Sequence, residues 1–573
     1  MPENAIISKL PKHLRSFIID QNYNRYTSQD QAVWRYVMRQ NINYLGKVAH
    51  QSYLDGLSKT GVSTEHIPSI EEMNASLADI GWAAVTVDGF IPPSAFMEFQ
   101  KHHVLVIAAD IRPYHQIEYT PAPDIIHEAA GHAPIIADAE YAEYLRYFGE
   151  IGSKAFSSKM DYEMYEVIRH LSILKADPYT PAGNIEEAER CLERVSSEMG
   201  APSEMTLIRN LHWWTVEYGL IGDLKEPKIY GAGLLSSIGE SIGALKDKVI
   251  KIPYSIEAMD YSFDITKPQP QLFVTPDFKT LTCVLDEFAN QMAYRTGRIE
   301  GVMKAIESGA TATAVYSSGL QVSGTFTNVI IHQGQLCYLN TTGPTTLNYK
   351  DKILEGHSKT YHKDGFGSPV GRIKGTLKPT RFLTGSDLKD IGIEMGKPAN
   401  FEFESGVVVT GTLLKTTRKD GMLLIMSFGD CLVKHKGKTL FEPSWGIYDM
   451  ALGENIKSAF SGPADAEGFG LSYDAPEEKT HQIEYSNKDL ELHQLYAEVR
   501  ELRHSKYDQK RFLKIWNTVK ASNSTDWLLQ VEMYHIAKKN LNSNGVLGEI
   551  VQSLDRLKAE RPDVTHLIDN GIG

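Results

Sequence analysis

Two histidines and a glutamate stand close together in Pro123-Asp124-Ile125-Ile126-His127-Glu128-Ala129-Ala130-Gly131-His132-Ala133-Pro134, the densest group of metal-capable side chains in the chain. The run is near the HExxH zinc signature but departs from it, because residue 131 is Gly and the second histidine falls five positions after the first. HExxH places its histidines four apart on one helical face. A spacing of five on a regular α-helix sets two imidazoles about 140° apart. Convergence on one ion is therefore expected to require the helix to end between them, with Gly131 as the C-terminal residue and Pro134 blocking continuation.

Two neutral imidazoles make a weak site without an anionic partner. Glu217, in Trp213-Trp214-Thr215-Val216-Glu217-Tyr218-Gly219-Leu220, is the candidate, an isolated carboxylate in an aromatic and apolar segment. Burying a carboxylate there without a cation or donors costs several kcal/mol, roughly. Two His and one carboxylate on one face of an octahedral ion leave three positions vacant, the arrangement of non-haem Fe(II) oxygenases. A structural His pair and a salt-bridged Glu217 are the plainer readings of the same residues. A zinc-dependent hydrolase with Glu128 as general base is the rival chemistry. Gly231-Ala232-Gly233 is not a dinucleotide fingerprint, since position 236 is Ser, and close backbone packing is the expected use of that pair.

Taken together, Tyr119 to Pro134, Trp214 to Leu220 and Tyr230-Gly231-Ala232-Gly233-Leu234-Leu235-Ser236-Ser237-Ile238-Gly239-Glu240 resemble the pterin-dependent aromatic amino acid hydroxylases in order and spacing. The resemblance covers roughly residues 25–300. It implies iron ligands at His127, His132 and Glu217. It also implies an arginine clamp for the amino acid carboxylate at Arg112, further substrate contacts at Thr120 and Ser236, and walls for the aromatic ring at Pro123 and Trp213. By the same resemblance Ser236 supports a ligand histidine, Phe96 stacks on the pterin, and Glu128 is a catalytic carboxylate beside pterin and dioxygen. The implied cofactors are Fe(2+) and a tetrahydropterin, and the implied partners are an aromatic amino acid and O2. Trp213 is similar to phenylalanine and tyrosine hydroxylases, whereas tryptophan hydroxylases carry Phe there. Phenylalanine is therefore the expected substrate, with tyrosine or tryptophan as alternatives. Two positions depart from the family: His212 stands where Tyr is frequent, and Val106 where a His lines the substrate pocket.

These residues must be positioned by a chain of 573 residues, long enough for several domains. The expected class is α+β, with three regions: a mainly helical hydroxylase-type catalytic domain over 1–308, a β-rich region over 312–475 and a helical region over 486–573. Helices are expected over Ala32–Tyr53, Glu186–Ser197, Met205–Tyr218 and Leu281–Ser308, and a strand over Val104–Ala109. In the β-rich region Val407–Thr416, Asp420-Gly421 and Met422–Met426 read as a hairpin. Gly319-Leu-Gln-Val-Ser-Gly-Thr-Phe echoes Gly406-Val-Val-Val-Thr-Gly-Thr-Leu, and a duplicated hairpin unit follows. No clustered His/Cys/Asp motif stands out there, so an interaction or scaffold role is expected.

In the last region Leu492, Leu495, Val499 and Leu502 form one apolar stripe, and Leu547, Ile550, Val551, Leu554 and Leu557 form another. Internal packing is the first expectation for them, and a homo-oligomer through these C-terminal regions the second. A net charge of −13 argues against nucleic acid as the main partner. No apolar run approaches a membrane span, and the N-terminus lacks a secretory h-region. The four cysteines have no CxxC spacing. A cytoplasmic protein without a membrane partner is the resulting expectation.

Overall fold

The computed structural model describes residues 4–118, 123–177, 179–265, 267–473, 485–522, 525–540 and 545–573. Helices and sheets alternate by region, an α+β arrangement. The first half is mainly helical. Thr27 and Asp30 form a reciprocal capping box that starts helix Ser28–Val48, and Ser158 with Asp161 starts Lys159–Ala176 in the same way. Two small sheets accompany the helices. Ala83–Val87 pairs in parallel with Val104–Ala108, and Lys228–Ile229, Leu220–Ile221, Gln271–Thr275 and Ile250–Pro253 form a four-stranded sheet in that order.

Two expected helices are broken. The segment expected as Ala32–Tyr53 ends at Val48, where Ala49 turns extended, and a separate helix Gln51–Lys59 begins after it. His50 caps that second helix by accepting a hydrogen bond from the Ser52 N–H. The segment expected as Leu281–Ser308 divides into Phe278–Ala289, Ala293–Thr296 and Arg298–Ser308. Gly297, at φ +57°, makes the last break, and a Cβ there would lie 2.4 Å from the Lys457 carbonyl carbon. The turn is needed where the β-rich region docks.

That region is built from two equivalent sheets. Strands Leu320–His332 and Gln335–Tyr349 have counterparts 87 residues on, in Val407–Lys419 and Met422–His435. Both hairpins turn on two positive-φ residues, Gln333-Gly334 and Asp420-Gly421, as a right-twisted two-residue hairpin requires. The register slips after Ser323, Phe326 and Ile330 in one hairpin, and after Thr410, Leu413 and Thr417 in the other. Each slip recurs at the same 87-residue offset, so the echo in the sequence is a repeated structural unit, bulges included. In each unit a later strand returns to the second hairpin strand: Gly365–Pro369 in the first and Tyr448–Ala451 in the second. The absence of a clustered His/Cys/Asp motif does not survive folding, because His357, His362 and Asp449 come together between the two units.

The last region returns to helix, with Asn487–His504, Gln509–Ala521, Trp527–Asn540, Gly545–Glu560 and Thr565–Ile572. Their apolar faces join the same hydrophobic core as the first half. Val499, Leu502, Ile550, Leu554 and Leu557 are buried in it, so both stripes serve internal packing. Polar contacts lock the join. Arg35, buried on helix Ser28–Val48, reaches Glu532 at 2.7 Å and Glu65 at 2.6 Å. Tyr36 donates to the Leu567 carbonyl at 2.8 Å and stands edge-on to Trp527. Among the described residues no helix is long and apolar enough to cross a membrane.

Candidate metal centre and surrounding pocket

The helix carrying His127 and His132 does not end between them. It runs through His127–His132 as a π-helical turn and continues as Ala133–Ile135. An i→i+5 turn winds about one residue more per revolution than an α-helix, so the side chain at i+5 comes back over the one at i. The widened turn, and not a helix end, is what brings the two imidazoles onto one face. Gly131 has a different task from the expected cap: a Cβ there would sit 2.6 Å from the Ala232 carbonyl oxygen. Its absence lets helix Ala232–Ser236 approach. Pro134 lies inside the helical run and cannot donate to the Ala130 carbonyl, and Tyr53 Oη supplies that bond at 2.9 Å.

Glu217 arrives on a second π-helical turn, Trp213–Glu217, which extends helix Glu204–His212. The Tyr218 N–H donates to the Trp213 carbonyl at 2.8 Å, five residues back. Cβ atoms on Gly231 and Gly233 would meet the Glu217 carbonyl oxygen at 2.5 and 3.0 Å, so this glycine pair does allow close packing beside the site.

The three side chains meet. His127 Nε2 lies 3.0 Å from His132 Nε2 and 3.1 Å from Glu217 Oε2, and His132 Nε2 lies 3.4 Å from Glu217 Oε1. Two donors held at right angles about 2.1 Å from one ion would be about 3 Å apart, so the set has the dimensions of one face of an octahedron. The tautomer supports the same conclusion. Ser236 Oγ donates its only proton to the Ala232 carbonyl at 2.8 Å and so accepts from His127 Nδ1 at 3.0 Å. With Nδ1 protonated, Nε2 presents a lone pair to the Glu217 carboxylate. Only a cation between them, or a second proton on the ring, makes that contact favourable. Burial alone would raise the Glu217 carboxyl, but His132 and His127 beside it hold it well below the usual carboxylate range. His132 is almost wholly enclosed, whereas His127 and Glu217 keep 19% and 13% of their side chains exposed, which marks the open side.

The comparisons with known proteins fall on this half of the chain. The model of the biopterin-dependent aromatic amino acid hydroxylases matches residues 20–163 and 192–307. The N-terminal half of the chain belongs to this family. Phenylalanine-4-hydroxylase of Pseudomonas aeruginosa is 26% identical over 282 residues, covering 49% of this chain and 90% of that one. The Mesorhizobium japonicum enzyme of the same name is 28% identical over 269 residues, covering 46% and 81%. A crystal structure of Chromobacterium violaceum phenylalanine hydroxylase, with bound iron(III) and 7,8-dihydrobiopterin, aligns with 25% identity and a TM-score of 0.39, over 50% of this chain and 89% of that one.

Around the three donors the hydroxylase domain gathers further buried side chains. Arg112 is buried and already engaged: Nε and Nη2 donate to the two Asp124 oxygens at 2.8 and 2.9 Å, and Nη1 to the Ser236 carbonyl at 3.2 Å. Of its five N–H groups, one on each terminal nitrogen has no partner among the described residues. Burial raises the Asp124 carboxyl, but Arg112 more than reverses this and keeps it ionised. Asp124 Oδ1 also accepts from the His127 N–H at 3.0 Å, so one carboxylate ties the arginine to the start of the metal helix. Trp213 is clamped between Tyr218 and Phe263, with ring centroids 4.5 and 4.2 Å away. Pro123 is half-buried at the start of the motif. Thr120 lies outside the described residues.

Glu128 is buried 3.8 Å from His132, and its Oε2 has no hydrogen-bond partner. Burial pushes its carboxyl up to about 8, against the pull of His132. Phe96 meets His212 edge-on at 5.7 Å, and His212 Nδ1 is 3.8 Å from Glu217 Oε1. Burial takes the His212 imidazole down to about 4, so the ring is neutral at ordinary pH. Val106 is buried among Val85, Phe99 and Val104 in the small N-terminal core. Sequence reasoning left Asp124, Tyr53 and Phe263 without roles. An acid three residues before His127 is a readable helix-start signal, but nothing in the sequence selects Tyr53 or Phe263.

Proposed function

We propose that this chain hydroxylates an aromatic amino acid, converting L-phenylalanine to L-tyrosine with O2 and a tetrahydropterin, at one iron(II) held by His127, His132 and Glu217. The observation that carries the reading is the set of three donors 3.0–3.4 Å apart, with a lone pair of His127 aimed at a carboxylate. The names of the curated relatives support the choice of substrate. Iron(II) with vacant positions activates O2 and the reduced pterin supplies two electrons, so that one oxygen atom enters the ring and the other leaves on the pterin.

The chain's own part is placement. Arg112 holds the substrate carboxylate through its two remaining N–H groups, assisted by Thr120 and Ser236. Trp213, stiffened from both sides, and Pro123 flank the aromatic ring and limit its tilt. Ser236 keeps His127 in the ligating tautomer. Phe96 offers the pterin a ring face, and the unpartnered Oε2 of Glu128 is left to bond on the pterin and dioxygen side. Soluble cytoplasmic action and a homo-oligomeric state complete the proposal.

The test is incubation of the iron(II)-loaded chain with a tetrahydropterin and Phe, Tyr or Trp in turn, with products identified by mass. Gain of one oxygen atom by phenylalanine, yielding tyrosine, is expected. No gain on any of the three amino acids, or a His127→Ala chain that keeps its iron, would overturn the reading.

A further inference from the structure

The second cluster of ligand-type side chains lies far from the first in sequence and in the fold. His357 and His362 sit in the segment between strands Lys352–Ile353 and Gly365–Pro369 of the first β unit. Backbone bonds clamp both to strand Gln335–Tyr349: the Leu347 N–H donates to the His357 carbonyl at 3.2 Å, and the Thr345 N–H to the His362 carbonyl at 3.0 Å. Asp449 comes from strand Tyr448–Ala451 of the second unit. The three are 5%, 9% and 5% exposed, which makes this a buried polar group at the seam of two repeats.

The two imidazoles stand at the separation of two ligands of one ion, and the carboxylate lies somewhat further out. His357 Nδ1 and His362 Nε2 are 3.1 Å apart, and Asp449 Oδ2 is 4.0 Å from His357 Nδ1. One ligand atom from each residue falls within 4.8 Å of the other two. Ser427 Oγ donates to Asp449 Oδ1 at 2.5 Å, which orients the carboxylate, while the buried Oδ2 makes no close hydrogen bond among the described residues. A hydrogen bond between the imidazoles would satisfy one nitrogen of each ring and bring nothing to the carboxylate. The Tyr361 hydroxyl is placed to hydrogen-bond Asp449 but carries no charge, and Lys415 is exposed. A buried carboxylate held only by two hydroxyls, with two imidazoles beside it, is completed by a cation.

We propose that His357, His362 and Asp449 form a second metal site, which takes a divalent transition ion of the zinc class and staples the two β units together. Two nitrogen ligands and one carboxylate favour zinc, cobalt or iron(II) over the all-oxygen demands of calcium or magnesium. Ser427, bonding the far oxygen of the carboxylate, is the outer support such sites carry. The proposal is independent of the hydroxylase reading, because it concerns other residues in another region.

The test uses the full chain, stripped with a chelator, dialysed against cobalt(II) or zinc, and assayed for metal per chain. Two ions per chain are expected for the native sequence, and one for His127→Ala, for His362→Gln and for Asp449→Asn. The double variant His127→Ala/His362→Gln should hold none. Ser427→Ala, which removes no ligand, should weaken cobalt binding at the second site by 10- to 100-fold, roughly, and it covers the case in which a ligand variant does not fold. A native chain that binds a single ion, lost in His127→Ala, would overturn the proposal. So would His362→Gln and Asp449→Asn chains that fold and still bind two.

Discussion

Arg112 is asked to do two things at once, and the structure allows the two to be separated. Three of its five N–H groups serve the protein, two on Asp124 and one on the Ser236 carbonyl. The substrate carboxylate would receive the remaining two. Arg112→Lys keeps the charge but replaces the planar fork with one nitrogen, which cannot reproduce paired bonds to Asp124 and to the substrate together. Hydrogen bonds to charged groups contribute roughly 1.5–3 kcal/mol each. Losing two, with partial recovery through the retained charge, gives about 3 kcal/mol at the substrate, or on the order of a hundredfold in KM. The assay is steady-state kinetics against the amino acid, with urea unfolding of the same variant. The expected result is a KM raised about a hundredfold and a smaller change in kcat. A KM within threefold of the native value, together with a fall in stability, would refute the clamp and leave Arg112 only as a strut for Asp124. Asp124→Asn is the control for the strut. It leaves a buried guanidinium without its counter-charge and should cost about 3–5 kcal/mol of stability.

Ser236→Ala removes the acceptor that fixes His127 Nδ1–H, so iron affinity should fall about 10- to 100-fold while the fold is kept, as read by metal competition and circular dichroism. Glu532→Gln takes the buried counter-charge from Arg35 and Arg503, and urea unfolding should show a loss of about 3–5 kcal/mol; a change under about 1 kcal/mol would mean this charge cluster does not hold the tail. Burial and the neighbouring arginines lower the His535 imidazole to about 4. Between that value and the ordinary 6.5 the unfolded chain binds a proton that the folded chain does not, so stability falls as pH drops through this window and is flat above it. His535→Gln should remove about 1–3 kcal/mol of that acid sensitivity between pH 7 and 4, measured against the native chain because other buried histidines contribute the same sign.

The candidate site residues stood out in the sequence because chemistry restricts them. A His/Glu/His group and one stranded carboxylate are rare enough to stand out, and the helices that bring them together carry plain caps and periodicity. The local geometry was not readable. A π-turn differs from an α-turn by one residue per revolution, and the stabilising partners that permit it, such as Tyr53 on the Ala130 carbonyl, come from elsewhere in the chain. The duplicated hairpin was legible because a two-residue turn leaves a local signature, Asp-Gly or Gln-Gly at matching offsets. The His357, His362 and Asp449 cluster was not, since two members are five apart and the third is 87 residues further on, brought close by the packing of one repeat on the other. The helical stripes of the tail showed that a face is buried but not which surface covers it.

That covering surface decides how the added regions bear on the metal helix. Helix Ser28–Val48 presents Arg35 and Tyr36 to the tail and, a turn and a half later, Asn41 to the site, where its Nδ2 donates to the Leu235 carbonyl at 3.1 Å. The next residue, Ser236, holds the tautomer of His127 and receives Arg112 on its carbonyl. The tail therefore braces the helix that braces the surroundings of the candidate metal centre, through three successive hydrogen-bonded steps. The β-rich region takes hold at a different edge, where Ser458 donates to the Tyr294 carbonyl at 2.6 Å and Gly301 lets helix Arg298–Ser308 lie against Ala459. A chain stopped near residue 308 would lose both supports and bare the face of Tyr36 that Trp527 covers. Within this protein the C-terminal regions are part of what holds the hydroxylase core in shape, whatever else they bind.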